Sequence, residues 1–360
     1  MKFKFKFIIG AIAIMILLTT LFYSKQIANA IEDGIGICLN ILIPSLFIFL
    51  VLSDFFKKTG LLEIILKPFS IVCSKLFKLD ISLGPTLLFS LICGYPAGAR
   101  LISDMVLSGK ISKKIATRML YFCVNSGPAF LIGGISVPLF CSIVPGIILF
   151  FSQIVAFFLV GIFSSIGKSI EKTKTNKNNM PITQAFVISV QDSAKSMAII
   201  CSFTLFFSGI IGLFNQLNIL NINSNRYLKA LLIGLIEVAN GTAYCKNING
   251  LGMFLIISLI TSFGGICVHC QLKAILYNAK IKFGTFYLWR IIYCTISILV
   301  SWILFLHIKI PAHAFAGSAI RNHISTQNPI SSIILIILSI ALLCCDKKAV
   351  IIKNIYKRAK

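Results

Sequence analysis

Charge is what this sequence has least of. Only 12% of its 360 residues are charged and just 10 are acidic, against about a quarter charged in an ordinary soluble chain. Too few polar side chains are present to cover a soluble surface. The motifs of familiar enzymes are missing as well: no nucleophile elbow, Walker loop, dinucleotide fingerprint or HExxH occurs in the sequence. An enzyme acting within the membrane would have to use Glu237 or His269 without a recognisable partner, so the chain is read as a non-enzyme. His307, His313 and His323 form no ligand pattern. Cys267 and Cys270 are spaced like half of a metal knuckle but lack a second pair.

What fills the chain is apolar: 58% of residues are hydrophobic and the mean hydropathy is +0.95. Stretches near the roughly 20 residues needed to span a bilayer recur at 5–23, 35–56, 119–141, 145–166, 196–216, 251–270, 286–306 and 329–345. Most of the twelve cysteines lie inside them and count as small apolar side chains rather than a disulfide framework. The sequence therefore predicts an all-α polytopic membrane protein with the lipid bilayer as its main partner.

Two further apolar segments, 81–108 and 228–249, are interrupted by Gly, Pro or charge. Each is too short to cross twice and long enough to enter halfway and return. The net charge of +24 orders the layout. Lys57, Lys58, Lys67, Lys75, Lys78, Lys110, Lys113, Lys114, Arg118, the basic run 168–177, Lys273, Lys280, Lys282 and the tail 347–360 fall on one side, which the positive-inside rule makes cytoplasmic. Lys25, Arg226, Lys229, Lys246, Lys309 and Arg321 are the basic residues left outside. This short-loop placement argues against a nucleic-acid partner. It holds when both interrupted segments are re-entrant, giving eight transmembrane helices plus two re-entrant hairpins with both termini cytoplasmic. Residues 60–79 read as an amphipathic surface helix. Ala28-Asn29-Ala30 resembles a signal-peptidase site, but the run 7–22 is long enough to stay as an uncleaved anchor followed by an outside loop to residue 34.

The order of span, hairpin and broken span occurs twice, in 35–166 and in 183–306, joined by the basic linker 167–182 and followed by 307–360. By the charge count the two hairpins enter from opposite faces, so the halves form an inverted repeat, a sign of a secondary transporter. Each half has two polar interruptions. The first has Gly94, Tyr95, Pro96, Gly98 and Arg100 at the hairpin tip and Asn125, Ser126, Gly127 and Pro128 in the next span. The second has Glu237, Asn240, Gly241 and Thr242 at the tip, then Phe263, Gly264 and Gly265 just before His269 and Gln271. Broken backbone at membrane depth needs protein, water or ligand around it, so these residues make the candidate substrate site. Arg100 and Glu237 are the ionisable groups nearest the tips: Arg100 suits a carboxylate or pairs with Asp104, and Glu237 suits a coupling cation or a proton, or neutralises Arg100.

These motifs resemble the YlbJ-like sporulation integral membrane proteins of endospore-forming Firmicutes, in the nucleoside-recognition or Gate domain group. The resemblance covers most of 35–306. The repeat order is distantly similar to concentrative nucleoside transporters. It implies a sporulation role: moving dipicolinic acid out of the mother cell towards the forespore, spore cortex formation, and a place in the outer forespore membrane. Where nucleoside transporters place acidic and Gln groups in the first tip, this chain has Pro96, Gly98 and Arg100, which fits a small dicarboxylate better than a nucleoside. Phe130 or Phe263 is expected to pack on its ring. No cofactor is called for, proton and sodium stay open as coupling ion, and a homo-oligomer is admitted. The competing expectations are a non-transporting scaffold or regulator of spore envelope assembly, whose breaks serve packing, and a nucleoside transporter.

Overall fold

Gly and Pro decide where these helices break, and small residues decide how closely they pack. The structure, a computed structural model, describes residues 10, 14–173, 180–220, 225–248 and 250–308. All regular structure among them is helical. The expected span 329–345 and most of 5–23 lie outside the described residues.

Residues 14–22 are helical, and after Tyr23 the chain enters α1 (Ser24–Thr59), 36 residues long. The expected outside loop before residue 35 is instead the first turns of this helix. Ile27, Ala30, Ile31 and Gly34 recur at helical spacing and lie against Gly212, Gly209 and Ser208, so the polar residues between them do not stop it. Inside α1 the backbone widens into a π turn at Cys38–Leu42. Pro44 follows immediately; it has no N–H for the Asn40 carbonyl and its ring crowds that turn. The hydroxyl of Ser45 donates to the Ile41 carbonyl at 2.5 Å. Gly60, at φ 73°, ends the helix.

The segment read as one surface helix is two, α2 (Leu61–Ile65) and α3 (Lys67–Phe77), with Cys73 and Phe77 buried. A bend of 116° then leads into α4 (Gly84–Cys93), which Gly94 separates from α5 (Tyr95–Leu107). These two arms fold back on each other: a Cβ at Gly98 would stand 2.9 Å from the Ser90 Cβ, eight positions earlier. The expected single span 119–141 is broken into α6 (Lys113–Cys123) and α7 (Ala129–Phe140), with residues 124–127 outside any helix and Val124 extended. A π stretch, Ala129–Ser136, again runs up to a proline, Pro138. α8 (Val144–Phe163) closes this part.

α9 (Ile182–Gln216) starts fourteen residues before the expected span at 196, so Gln191 and Asp192 sit within it. Ala185, Ser189, Ser193 and Met197 are buried at every fourth position, and that stripe carries the helix through its polar residues. A second hairpin follows, α10 (Arg226–Ile236) and α11 (Val238–Tyr244), with Glu237 extended between them. α12 (Gly250–Phe263) and α13 (Gly265–Leu276) form one span interrupted at Gly264, and α14 (Phe286–His307) is the last described helix. Among the described residues, five helices are long and apolar enough to cross a membrane, or six if the bent α3–α4 pair is one span. The chain is a multi-pass membrane protein; of the expected spans among the described residues, 119–141 is the one split into two short helices.

α1 and α9 pack antiparallel, with Gly34 against Ser208 at one end and Lys58 paired to Asp192 at the other. On the far side Ser152 of α8 and Ser258 of α12 both bond to Ser301 of α14 at 2.9 Å, a polar seam suited to close helix packing in lipid. Phe77, Phe122 and Phe157 pack ring on ring in the core between α3, α6 and α8.

The second hairpin closes on Gly241, where a Cβ would stand 2.2 Å from the Gly234 Cα. Gly241→Ala should cost about 1–3 kcal/mol and lower the thermal unfolding temperature in detergent. Gly133→Ala, with open space around it, should leave that temperature unchanged.

Candidate functional site

Each of the four breaks has a backbone that its residues require. Gly94 adopts φ 82°, ψ −173°, a region essentially closed to side chains. Gly264 and Gly265 are both left-handed, at φ 94° and 65°. Glu237 is simply extended, at φ −144°, ψ 122°. The breaks meet in pairs. A Cβ on Gly127 would lie 2.7 Å from the Ile92 carbonyl, and one on Gly265 would lie 3.0 Å from the Gly234 carbonyl. Glycine at both positions lets broken backbone approach broken backbone.

The carbonyl ends of two of the broken helices, α6 and α12, are sealed by side-chain donors. Arg290, on α14 and 0% exposed, donates from Nη1 to the Val124 carbonyl at the end of α6, and from Nε to the Phe263 carbonyl at the end of α12, 2.9 Å away. A helix C-terminus carries roughly half a negative charge. Two of them therefore match one guanidinium, and Tyr293 and Tyr95 add ring faces at 4.9 and 5.9 Å. His269 Nε2 shares the Phe263 carbonyl at 3.1 Å. Tyr95 donates to the Thr261 carbonyl, freed by the Gly264 break, and the Ser126 hydroxyl stands 2.5 Å from the Tyr95 hydroxyl and 3.0 Å from the same carbonyl. Gln153 of α8 accepts from the Ser126 N–H at 2.9 Å. Asn125 is wholly buried, and its side-chain amide makes no hydrogen bond among the described residues.

The residues that start α5 and α7 border open space. A small central cavity of about 50 Å³ is lined by Gly94, Tyr95 and Pro96 at the start of α5, Ser126, Gly127 and Phe130 at the start of α7, Glu237, and Gln271, with Thr204 from α9. Glu237 closes the third amide end itself, taking Asn240 N at 2.6 Å and Asn240 Nδ2 at 2.8 Å on Oε2. Asn240 Nδ2 also reaches the Ser208 hydroxyl of α9 at 2.8 Å.

Two larger cavities flank this centre. One of about 300 Å³ shares Pro96, Ile200 and Gln271 with it and is lined by Asp54, Lys57, Arg100, Asp104, Asp192 and Lys195. The other, about 530 Å³, holds Asp33, Asn40, Ser208, Asn215 and Asn240. Asp33 and Asp54 are twenty-one residues apart on α1, about 31 Å along it, so the two cavities open at opposite ends of the same helix. The charge rule expects the first on the inner side, and the two are called the inner and outer cavities below.

The structure thus gathers Gly94, Tyr95, Pro96, Ser126, Gly127, Glu237 and Gln271 at one cavity. Gly98, Gly241, Gly264 and Gly265 shape the backbone behind it, Thr242 bonds within α11, and Asn125 and His269 support the breaks. Phe263 packs on His269 at 4.8 Å and lines none of the three cavities, so of the two expected ring partners only Phe130 reaches the centre. Arg100 is not at the tip. It lies more than a turn further along α5 in the inner cavity, 2.7 Å from the Ser196 hydroxyl and 3.5 Å from Asp192. It pairs neither with Asp104, which Lys57 takes, nor with Glu237. Sequence reasoning missed Arg290, Gln153, Ser208 and Lys58. A lone Arg in the apolar run 286–306 was the available signal for the first.

Fold and site together define a polytopic helical membrane protein with paired broken helices between two facing cavities. The chain is similar to the sporulation integral membrane protein YlbJ of Bacillus subtilis (strain 168), at 22% identity across 82% of each chain. No family model and no solved structure matches the chain. The match supports the YlbJ-like resemblance read from the motifs and suggests a sporulation membrane protein; the Gate grouping rests on the motifs alone.

Removing the Arg290 guanidinium uncaps two buried helix ends. Arg290→Gln should cost about 3–5 kcal/mol, seen as loss of the monodisperse peak after mild heating in detergent. A variant as heat-resistant as the parent would refute this capping role.

Proposed function

We propose that the protein is a membrane transporter of a small organic anion, with dipicolinate as the leading substrate. The observation that carries this is the polarity of the central cavity. The carbonyl ends of α6 and α12 are sealed by Arg290, Tyr95, Ser126 and His269, while residues at the starts of α5 and α7 line the space. The start of a helix favours a carboxylate, and Phe130 offers a face for a flat ring. Cavities at both ends of α1 supply entry and exit. The YlbJ-like resemblance supports export from the mother cell towards the forespore, across the outer forespore membrane, in the service of spore maturation and cortex formation.

Arg100 acts as the entry-side anion contact. In the inner cavity it is held by Asp192, which also takes Lys58 at 2.9 Å. A substrate carboxylate entering there exchanges with Asp192 on the guanidinium. The scaffold reading keeps one supporting observation, the thorough side-chain sealing of the carbonyl ends.

Arg100→Gln in reconstituted protein should lower dipicolinate flux roughly tenfold, the worth of one charge-assisted hydrogen bond. Lys174→Gln in the basic linker should leave flux unchanged. Equal flux in the two variants would remove Arg100 from the path.

A further inference from the structure

Glu237 does more than cap α11. It is 4% exposed, and it is the one acidic side chain among the residues lining the central cavity. Among the described residues no Lys, Arg or His forms an ion pair with it. The titratable groups that feel its charge are Cys38 on α1, Tyr95 on α5 and Cys267 on α13, all neutral in ordinary conditions. His269, also on α13, turns its Nε2 to the Phe263 carbonyl instead. The Arg290 guanidinium lies behind the Tyr95 ring and is engaged by the two helix ends.

An anion seated at the amide ends of α5 and α7 therefore shares a small apolar cavity with this carboxylate. Two like charges in so poorly screened a space repel strongly, and no cation there relieves them. We infer that Glu237 is a proton-binding site coupled to the anion, so that the central cavity takes up anion and proton together and releases them together. Both Asn240 donors converge on Oε2 and the Ala239 N–H also reaches the carboxylate; the proton comes from water in the adjoining cavity. Neutralising the carboxylate weakens the charge-assisted bonds to Asn240, and Asn240 is also stitched to Ser208 at the wall of the outer cavity. The loaded site is thereby the one whose outer wall is loosest.

This inference rests on the anion-transport reading above, and the experiment separates the two. Dipicolinate binding to the full-length protein in detergent is measured from about pH 8 to about pH 6, where its carboxylates stay ionised. Uptake into proteoliposomes is measured with and without an imposed pH gradient. The parent and Glu63→Gln, an acid on the surface helix α2, should bind up to about tenfold tighter per pH unit of acidification, the linkage expected for one proton taken up with the ligand. Glu237→Gln, which fixes the neutral form, should bind with no pH slope, exchange dipicolinate, and fail to accumulate it when a gradient is imposed. A folded Glu237→Gln that keeps the parental slope or gradient-driven accumulation overturns the inference, as does one that binds nothing at any pH. If that variant does not fold, Glu237→Asp, which retains the acid, must keep the slope and gradient coupling, and their loss overturns it equally. Absence of binding and uptake in the parent itself would instead bring down the transport reading, and the coupling with it.

Discussion

The contact on which the site depends is the Arg290 guanidinium held between the Val124 and Phe263 carbonyls. Breaking a helix in the middle of a membrane exposes carbonyls that lipid cannot satisfy. Here two such ends, one from each part of the chain, are brought to a single buried cation. Neither the charge nor the dipoles would be tolerable alone, since an unpaired carbonyl in the membrane is costly and an unpaired guanidinium more so. Together they fix α6, α12 and α14 in one place. Tyr95 and Ser126 extend the same tie by reaching across to Thr261, so the first hairpin tip is anchored to the second broken span.

That arrangement also gives the centre its polarity. With the ends of α6 and α12 occupied, the starts of α5 and α7, the side chains of Ser126, Thr204 and Gln271, and one carboxylate line the central cavity. The cavity is attractive to an anion on one wall and repulsive on the wall that carries Glu237. A site with both tendencies is suited to holding its ligand only when the acid is neutral. Beyond it on either side, the walls differ in kind. Inner contacts are ion pairs among α1, α5 and α9, involving Lys57, Lys58, Arg100, Asp104 and Asp192. The outer wall is the neutral stitch from Asn240 to Ser208. Either can open without dismantling the Arg290 tie, which lies between the helices and away from both cavities.

Much of this could be read from the chain, for definite reasons. Gly94, Pro96, Pro128 and the Gly264-Gly265 pair announce broken backbone because few other residues adopt those conformations, and all four breaks stand where they were expected. The length of α9 was not legible, because Gln191, Asp192 and Lys195 interrupt its apolar run; only the buried stripe every fourth residue, visible once α1 is packed beside it, carries the helix through. The start of α1 was hidden in the same way by Glu32 and Asp33. Arg100 was placed correctly along the chain but wrongly in space, since nothing near it in sequence reveals that Asp192 arrives from ninety-two residues away. Arg290 was overlooked because one basic residue near the start of an apolar run reads as an interfacial anchor, and its partners are carbonyls, which sequence does not distinguish.

The central claim is that the inner and outer cavities give access to one site from opposite faces of the membrane. It is tested most directly by placing single cysteines at Ser103 in the inner cavity and Asn215 in the outer one, in a background freed of reactive native thiols. Their labelling by a membrane-impermeant reagent applied from either face of oriented proteoliposomes is then followed as dipicolinate is added. The account predicts that each cysteine labels from one face only, and that substrate changes the two rates in opposite directions. Labelling of both cysteines from the same face, or rates that substrate leaves untouched, would contradict it.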